Sequence, residues 1–367
     1  MNTGMKNIFR LAKQKKMLEI MKRQRDIIFE QMIEELWKIR NPNLDFDNES
    51  YQKLLEKMSR LSAQEKNNNL RINNLDVPTK KACFELSTAR NRNLIDPEEQ
   101  NMLRESVIAF FGLSVGSHAA ITWMMESRAD AIKIVDPDKV SASNLNRLRN
   151  GWKDIGRYKV ELVEEELYGI NPFTKVYSYY KGDQSEIIKI LDFEPEADVI
   201  IDEIDDFEVK IALRKIAKER KIPLISAADV GDNVVLDIER YDLLPQPEMF
   251  LGRIPEIENI NFSKLTDKEK KKLIIKLVGF ETNSEKMINS LFAINASIVT
   301  WPQLGATATI TGGIIATAIK KIILGEKVIS GRYYISLDNI LVSDFNSWKS
   351  KESRNKKINR IKELLKE

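Results

Sequence analysis

The chain has 367 residues, 43% hydrophobic and 31% charged, which suits a water-soluble protein of two domains, or of one large domain with additions. Its net charge of +3 is too near neutral to argue for nucleic acid on its own. A single cysteine, Cys83, excludes an internal disulfide and a cysteine-rich zinc site, and a single histidine, His118, excludes a cluster of histidine ligands.

The first expected element is a long helix over residues 5 to about 39. Met17, Met21, Ile28, Met32 and Leu36 recur at helical spacing, and Pro42 stops it. Lys6, Arg10, Lys13, Lys15, Lys16, Lys22, Arg23 and Arg25 make its first half basic: a solvated face, or a surface for an anionic partner such as RNA or a membrane. The same charges interrupt any apolar signal core. A second helix over about 51–61 leads into the polar linker "SAQEKNNNLRINN". From about 85 to 242, short apolar runs ("VIAFFG", "AIKIVD", "KVYSYYKGD", "ADVIIDEID") alternate with helical segments, the pattern of βαβ units and a mostly parallel, doubly wound α/β sheet. "IPLISAADVGDNVVLDIERYDL" then reads as strand–turn–strand. Residues 245–296 are charged and helical in character and look inserted. "ITGGIIATAIKKIILG" is a helix stopped by Gly325, "RYYISLDNILVSDF" a closing β-hairpin, and the rest a basic tail. The most apolar segment, 304–319, is shorter than the roughly 20 residues a membrane span needs, so a buried core helix and a cytoplasmic protein are expected.

Chemistry concentrates at three strand ends, where doubly wound sheets bind ligands. After "VIAFF" comes a turn with Gly112, Ser114, Gly116 and Ser117. It is small enough for backbone N–H groups and a helix N-terminus to approach an anion, or simply for a tight turn. Asp136, 24 residues after Gly112, stands where an acid accepts from ribose hydroxyls, or else opens a turn. Asp202, Glu203, Asp205, Asp206 and Glu208 crowd the fourth strand end. A divalent cation such as Mg²⁺ shared with phosphates would relieve their repulsion; a solvated loop opening a helix is the other reading. Between them, "SASNLNRLRNGWKDIGRYK" offers Asn144, Asn146, Arg147, Arg149 and Lys159. Such cations suit cleavage of a nucleoside triphosphate, where charge builds on phosphate oxygens, better than hydride transfer by an NAD(P)-dependent oxidoreductase.

"SNLNR" after "VDPD", followed by "GRYK", resembles the ThiF/MoeB family, Rossmann-like adenylating enzymes related to ubiquitin-activating enzymes. The string "ARNRNLI … GLSVGS … SNLNRLR" is similar to a branch with an N-terminal helical extension. The resemblance implies an ATP- and Mg²⁺-dependent adenylyltransferase. A carboxylate attacks the α-phosphate, giving an acyl-adenylate and pyrophosphate. The carboxylate would be the C-terminus of a ubiquitin-like or sulfur-carrier protein, or a related one such as that of a modified tRNA base. It implies further that Gly112, Ser114, Gly116, Ser117, Asp136 and Asn144 bind the nucleotide, and that Arg147 and Lys159 act at the phosphates. Asp205 is implied as the Mg²⁺-linked aspartate, and Arg92 as reaching into the partner's site of a homodimer. The chain departs from the family in its serines and Val115 in the turn, in Asp206 where asparagine is usual, and in Lys210 where arginine is usual. It lacks the zinc cysteines and any cysteine positioned to form a thioester. A non-catalytic interaction protein keeping the fold stays an alternative. The expected division is a helical extension (1–84), a nucleotide-binding domain (85–244), an inserted helical subdomain (245–296), the rest of the α/β domain (297–345) and a basic tail (346–367).

Overall fold

Ile108–Phe111 forms strand β1, and all four of its residues are buried, as a central parallel strand covered on both faces must be. The computed structural model describes residues 26–66, 78–257, 260, 264–279, 283–294 and 296–366. The chain divides into two units, residues 1–97 and 98–367.

In the first unit, α1 (residues 26–40), α2 (Asn48–Lys66) and α3 (Lys80–Thr88) enclose a core of Ile33, Leu36, Trp37, Tyr51, Met58 and Ala82. The Trp37 indole donates to Ser50 Oγ at 2.8 Å, and the Thr79 hydroxyl caps α3 by accepting from the Ala82 N–H. Helix α2 runs to Lys66, past the expected end near 61, because the polar linker begins as helix. The basic half of the expected first helix lies outside the described residues.

The boundary falls at the first residue of α4 (Pro97–Glu105), and the second unit builds one seven-stranded sheet. Its strands are β1, β2 (Ala131–Val135), β3 (Lys175–Tyr179), β4 (Val199–Asp202), β5 (Leu224–Val230), β6 (Asn233–Glu239) and β7 (Gly331–Ser336), in the order β3-β2-β1-β4-β5-β6-β7. The first five run parallel, β6 pairs antiparallel with β5 and β7 antiparallel with β6, so the expected doubly wound, mostly parallel α/β sheet is present. Helices α5 (Val115–Ser127), α6 (Lys159–Ile170), α7 (Gln184–Asp192) and α8 (Phe207–Arg220) connect the parallel strands. The chain winds from β1 outward to β3, then crosses back to β4 on the other side of β1. That reversal is the switch point, and the register fixes what faces it. Phe111 pairs with Val135 and with Asp202, so Gly112, Asp136 and Glu203 emerge side by side.

Helix α7 escaped the sequence reading because it is short. Asp183 caps it, accepting from the Ser185 and Glu186 N–H groups, and it buries Ile187, Ile190 and Leu191. Residues between β6 and α11 (Gly305–Ile323) hold a 3-10 turn, Met249–Gly252, with α9 (Asp267–Val278) and α10 (Glu285–Ala293). The turn buries Met249 and Phe250 beside Ile211, Ile254 and Ile257. Helix α11 is long and apolar enough to cross a membrane by composition. Here it packs against α5 and β5 and buries Ile315, Ala316 and Ile319 completely, so it serves as the expected core helix. The expected closing hairpin is wrong. Only Gly331–Ser336 is strand, and the chain then turns into α12 (Leu337–Leu341). Ser336 caps that helix on the Asn339 N–H, and Asn233 exchanges two hydrogen bonds with Asp338. Helix α13 (Trp348–Lys366) follows.

Candidate active site

Gly112 carries the turn after β1 at φ +89°, a conformation that side chains resist. A Cβ there would stand 2.5 Å from the Glu203 carbonyl carbon, so glycine is demanded twice. Helix α5 then starts at Ser114 with no side-chain cap, which leaves its first N–H groups available to an anion. Ser117 gives its hydroxyl to the Ser114 carbonyl at 2.8 Å. The Ser114 hydroxyl is buried and has no partner. At Gly116 the neighbouring atoms are Glu203 Cβ and Cγ, 3.4 and 3.5 Å from a Cβ position.

Asp136 is buried and organises the turn, its two oxygens accepting the N–H groups of Leu113 at 2.6 Å and Asp138 at 2.8 Å. Burial raises its pKa, while Lys159 and the two N–H groups oppose the rise. A carboxylate has lone pairs for about four hydrogen bonds, so its capacity is not exhausted by these two N–H groups. Lys159, also buried, donates to Asp138 Oδ2 at 2.8 Å and stands 3.6 Å from Asp136 Oδ1. It therefore supports the acid pair behind the turn.

The "SNLNR" loop is gripped from both sides. Asn144 closes a 3-10 turn, accepting from the Ser141 N–H at 3.0 Å. His118 on α5 donates from Nε2 to the Arg147 carbonyl at 2.7 Å, and burial lowers its pKa. Asn146 donates to the Gln303 carbonyl, and its own carbonyl oxygen lies 2.6 Å from a Cβ position on Gly305, at the start of α11. Arg147 is thus presented by a rigid loop. Its Nη1 donates to the Ser143 carbonyl and Asn146 Oδ1, and its Nε is buried without a partner. Burial lowers the pKa of this guanidinium, and the charges of Asp205 and Asp229 oppose the fall.

The five crowded acids divide their work. Asp202, fully buried, is paired with Arg214 at 2.6 Å and Lys210 at 3.1 Å. Basic side chains, rather than a metal, relieve the repulsion there. Arg214 continues to Glu239 at 2.8 Å and lies over the Phe250 ring. The Glu203 carboxyl is enclosed, accepts from the Ala227 N–H at 2.8 Å, and burial raises its pKa well above the usual range. Asp206 caps α8 on the Val209 N–H. Asp205 and Glu208 remain exposed. Among the described residues no three His, Cys, Asp or Glu side chains converge as a metal cluster. Asp205 by position could supply the one protein carboxylate that Mg²⁺ needs when phosphates supply the rest.

Arg92 lies in the first unit, where its guanidinium donates to the Ile39 carbonyl at 2.9 Å and pairs with Glu85. The sequence reading missed Asp229 at the end of β5. It is buried, its Oδ1 accepts from Thr311 at 2.6 Å, its Oδ2 has no partner, and burial pushes its pKa up to about 6. Its signal was present, an acid ending the apolar run "LISAAD", but a hairpin turn beginning two residues later at Gly231 explained it equally well.

Comparison with known proteins bears on this site. The model of the ThiF family matches residues 88–359. An uncharacterised protein of Mycobacterium tuberculosis is 30% identical over 252 residues, 69% of this chain and 35% of that protein. The tRNA threonylcarbamoyladenosine dehydratase of Bacillus subtilis is 33% identical over 144 residues, 38% of this chain and 55% of that protein. The sulfur carrier protein ThiS adenylyltransferase of the same organism is 26% identical over 140 residues, 37% of this chain and 41% of that protein. The matched part of this chain spans about a third to about half the length of these relatives. With the family model matching from the end of α3 into α13, across the whole sheet and the turn after β1, the chain belongs to the ThiF family.

Proposed function

We propose that this chain is an ATP- and Mg²⁺-dependent adenylyltransferase that activates a carboxylate as an acyl-adenylate. The observation that carries the reading is a pair of buried, unpartnered donors at the switch point: the Ser114 hydroxyl beside the uncapped start of α5, and Arg147 Nε on its clamped loop. Buried donors without partners are costly, and phosphate oxygens satisfy both.

In this reading the α5 N-terminus and Ser114 hold phosphate oxygens, and Gly112 and Gly116 keep the backbone close. Asp136, supported by Lys159, accepts from the ribose, and Asn144 braces the loop that presents Arg147. A carboxylate oxygen attacks the α-phosphorus, the bond to the pyrophosphate oxygen breaks, and pyrophosphate leaves with the electron pair. Arg147 stabilises the charge that builds on the phosphate oxygens. Mg²⁺ at Asp205 would supply further neutralisation of that charge.

The substrate is the C-terminus of a ubiquitin-like or sulfur-carrier protein, or a related carboxylate. The names of the two B. subtilis relatives put a sulfur carrier and a modified tRNA among the candidates. With Cys83 the only cysteine, the reaction stops at the adenylate or passes it to a nucleophile on another molecule. We further propose a cytoplasmic homodimer in which Arg92 serves the partner's site, an N-terminal extension typical of one branch of the family, and an inserted subdomain at 245–296 that selects the substrate. ATP–pyrophosphate exchange, assayed with candidate carrier proteins and with RNA, tests the reading. Exchange that is lost in Arg147→Ala and Asp205→Ala supports it. Absence of exchange, with tight NAD binding instead, sinks it.

A further inference from the structure

The chain that follows β7 holds apolar and basic side chains together in solvent. Ile340 is 69% exposed, Leu341 75%, Val342 43% and Trp348 79%, four large apolar residues close together in sequence. Apolar residues exposed singly are ordinary, but a run of them marks a surface that meets something. Hydrogen bonds brace the run. The Val342 N–H donates to the Asp338 carbonyl at 3.0 Å, and the Phe345 N–H to the Val342 carbonyl at 3.1 Å. The Asn346 amide donates to Asn339 Oδ1, which ties the turn back to α12. Arg354 lies over the Phe345 ring at 3.9 Å and donates to the Phe345 carbonyl at 2.6 Å, which ties the turn to α13. The apolar groups are thus held out by a fixed backbone.

Helix α13 adds the charge. It packs Ile358 and Ile361 against Ile288 and Leu291 of α10, which turns its opposite face to solvent. Trp348 stands on that face, with Asn355 and Asn359 on the turns that follow. At helical spacing, one flank of this stripe carries Lys349, Lys356 and Arg360, and the other Lys351 and Lys362, all exposed. The acids of α13 are Glu352 and Glu363, and Glu352 answers only Lys356, in an exposed bridge of 2.9 Å. Candidate partners make different demands. A second copy of the chain would bring like-charged rows together. RNA would satisfy the cations but leave Ile340, Leu341 and Val342 in water. The surface of an anionic bilayer takes both. Aliphatic side chains enter the acyl boundary, tryptophan rests at the headgroups, and lysines face the phosphates.

We propose that α12, the turn after it and the outward face of α13 form a docking surface for an anionic phospholipid bilayer. This surface is independent of the adenylation reading. The test mixes the full chain, without nucleotide, with vesicles of phosphatidylcholine alone or of phosphatidylcholine and phosphatidylglycerol in equal parts. Bound protein is separated by flotation. Wild type should bind the mixed vesicles at least about tenfold more tightly than the neutral ones, and the preference should shrink as salt rises. Lys349→Gln combined with Lys351→Gln should weaken that binding at least about tenfold. Ile340→Ser combined with Leu341→Ser should weaken it at least about tenfold with every charge intact. Lipid brominated in its acyl chains should quench the tryptophan emission of wild type, and markedly less that of Trp348→Phe. All these side chains are exposed, and thermal melting checks that each variant is folded. Absence of flotation, equal affinity for the two kinds of vesicle, or binding undiminished in either double variant overturns the proposal. Without flotation, polyuridylate binding that is lost in the lysine pair alone would assign the face to RNA instead. Dimers in gel filtration that dissolve in the serine pair, again without flotation, would assign it to a second copy.

Discussion

A carboxylate buried with one oxygen unpaired destabilises the fold whenever it is ionised. Asp229 is such a group: burial lifts its pKa from the ordinary 3.8 to about 6. Because the folded value lies above the unfolded one, its contribution is favourable below pH 4 and is lost as pH rises through 6. The shift corresponds to about 3 kcal/mol. Asp229→Asn should therefore gain stability relative to wild type by about that much between pH 4 and pH 8, measured by urea denaturation of the nucleotide-free protein at each pH. A difference that does not change with pH would contradict the burial account. Gly112 makes the opposite case, a residue needed for what it lacks. Gly112→Ala would force a Cβ into the Glu203 backbone at a positive φ. We expect a loss of at least about 2 kcal/mol, with collapse of the turn before any effect of ligand can be read. At this scale the sequence was legible where a residue type has few uses. Gly112 and Arg147 were assigned from spacing and family likeness. Asp229 was not, because what sets it apart is the partner its Oδ2 fails to find, which no local pattern encodes.

At the scale of elements, α5 and α11 form a clasp around the Arg147 loop. A Cβ on Gly312 would stand 2.5 Å from His118 Cβ, so the two helices touch at bare backbone there. Gly312→Val should push them apart at a cost of about 1–3 kcal/mol in chemical denaturation. It should also free the Arg147 loop, because His118 is what holds its carbonyl. A second element-scale device ties β4, α8 and β6 together through Arg214, with Asp202 and Glu239 as its partners. Arg214→Leu leaves Glu239 without its basic partner and Asp202 with Lys210 alone. It should cost about 3–5 kcal/mol at pH 8 and less at pH 4, where protonation relieves them. A loss independent of pH would show that packing on Phe250 dominates instead. The parallel strands and long helices were legible because apolar runs and helical spacing are local. Helix α7 and the helix after β7 were not: short helices declare themselves mainly through their caps, Asp183 and Ser336, which resemble turn residues in sequence.

At the scale of the whole molecule, one open sheet in the second unit places the Gly112 turn, Asp136 and the acids at the same ends of its parallel strands. The ends of β1, β2 and β4 set the Gly112 turn, Asp136 and the acids side by side, and β5 adds Asp229. The acid cluster shows how far the sequence could go: it marked a strand end at the switch point, but only the fold shows Asp202 locked to Arg214 and Asp205 left exposed. The account's central claim is that these strand ends form an ATP site whose anion contacts include Arg147. Calorimetric titration of the full chain with ATP and Mg²⁺, and separately with NAD⁺, on wild type and Arg147→Ala, tests it most directly. The account predicts ATP binding to wild type, weakening of at least about tenfold in Arg147→Ala from the lost charged contact, and no measurable heat with NAD⁺. Binding of NAD⁺ in preference to ATP, or ATP affinity unchanged by Arg147→Ala, would contradict it.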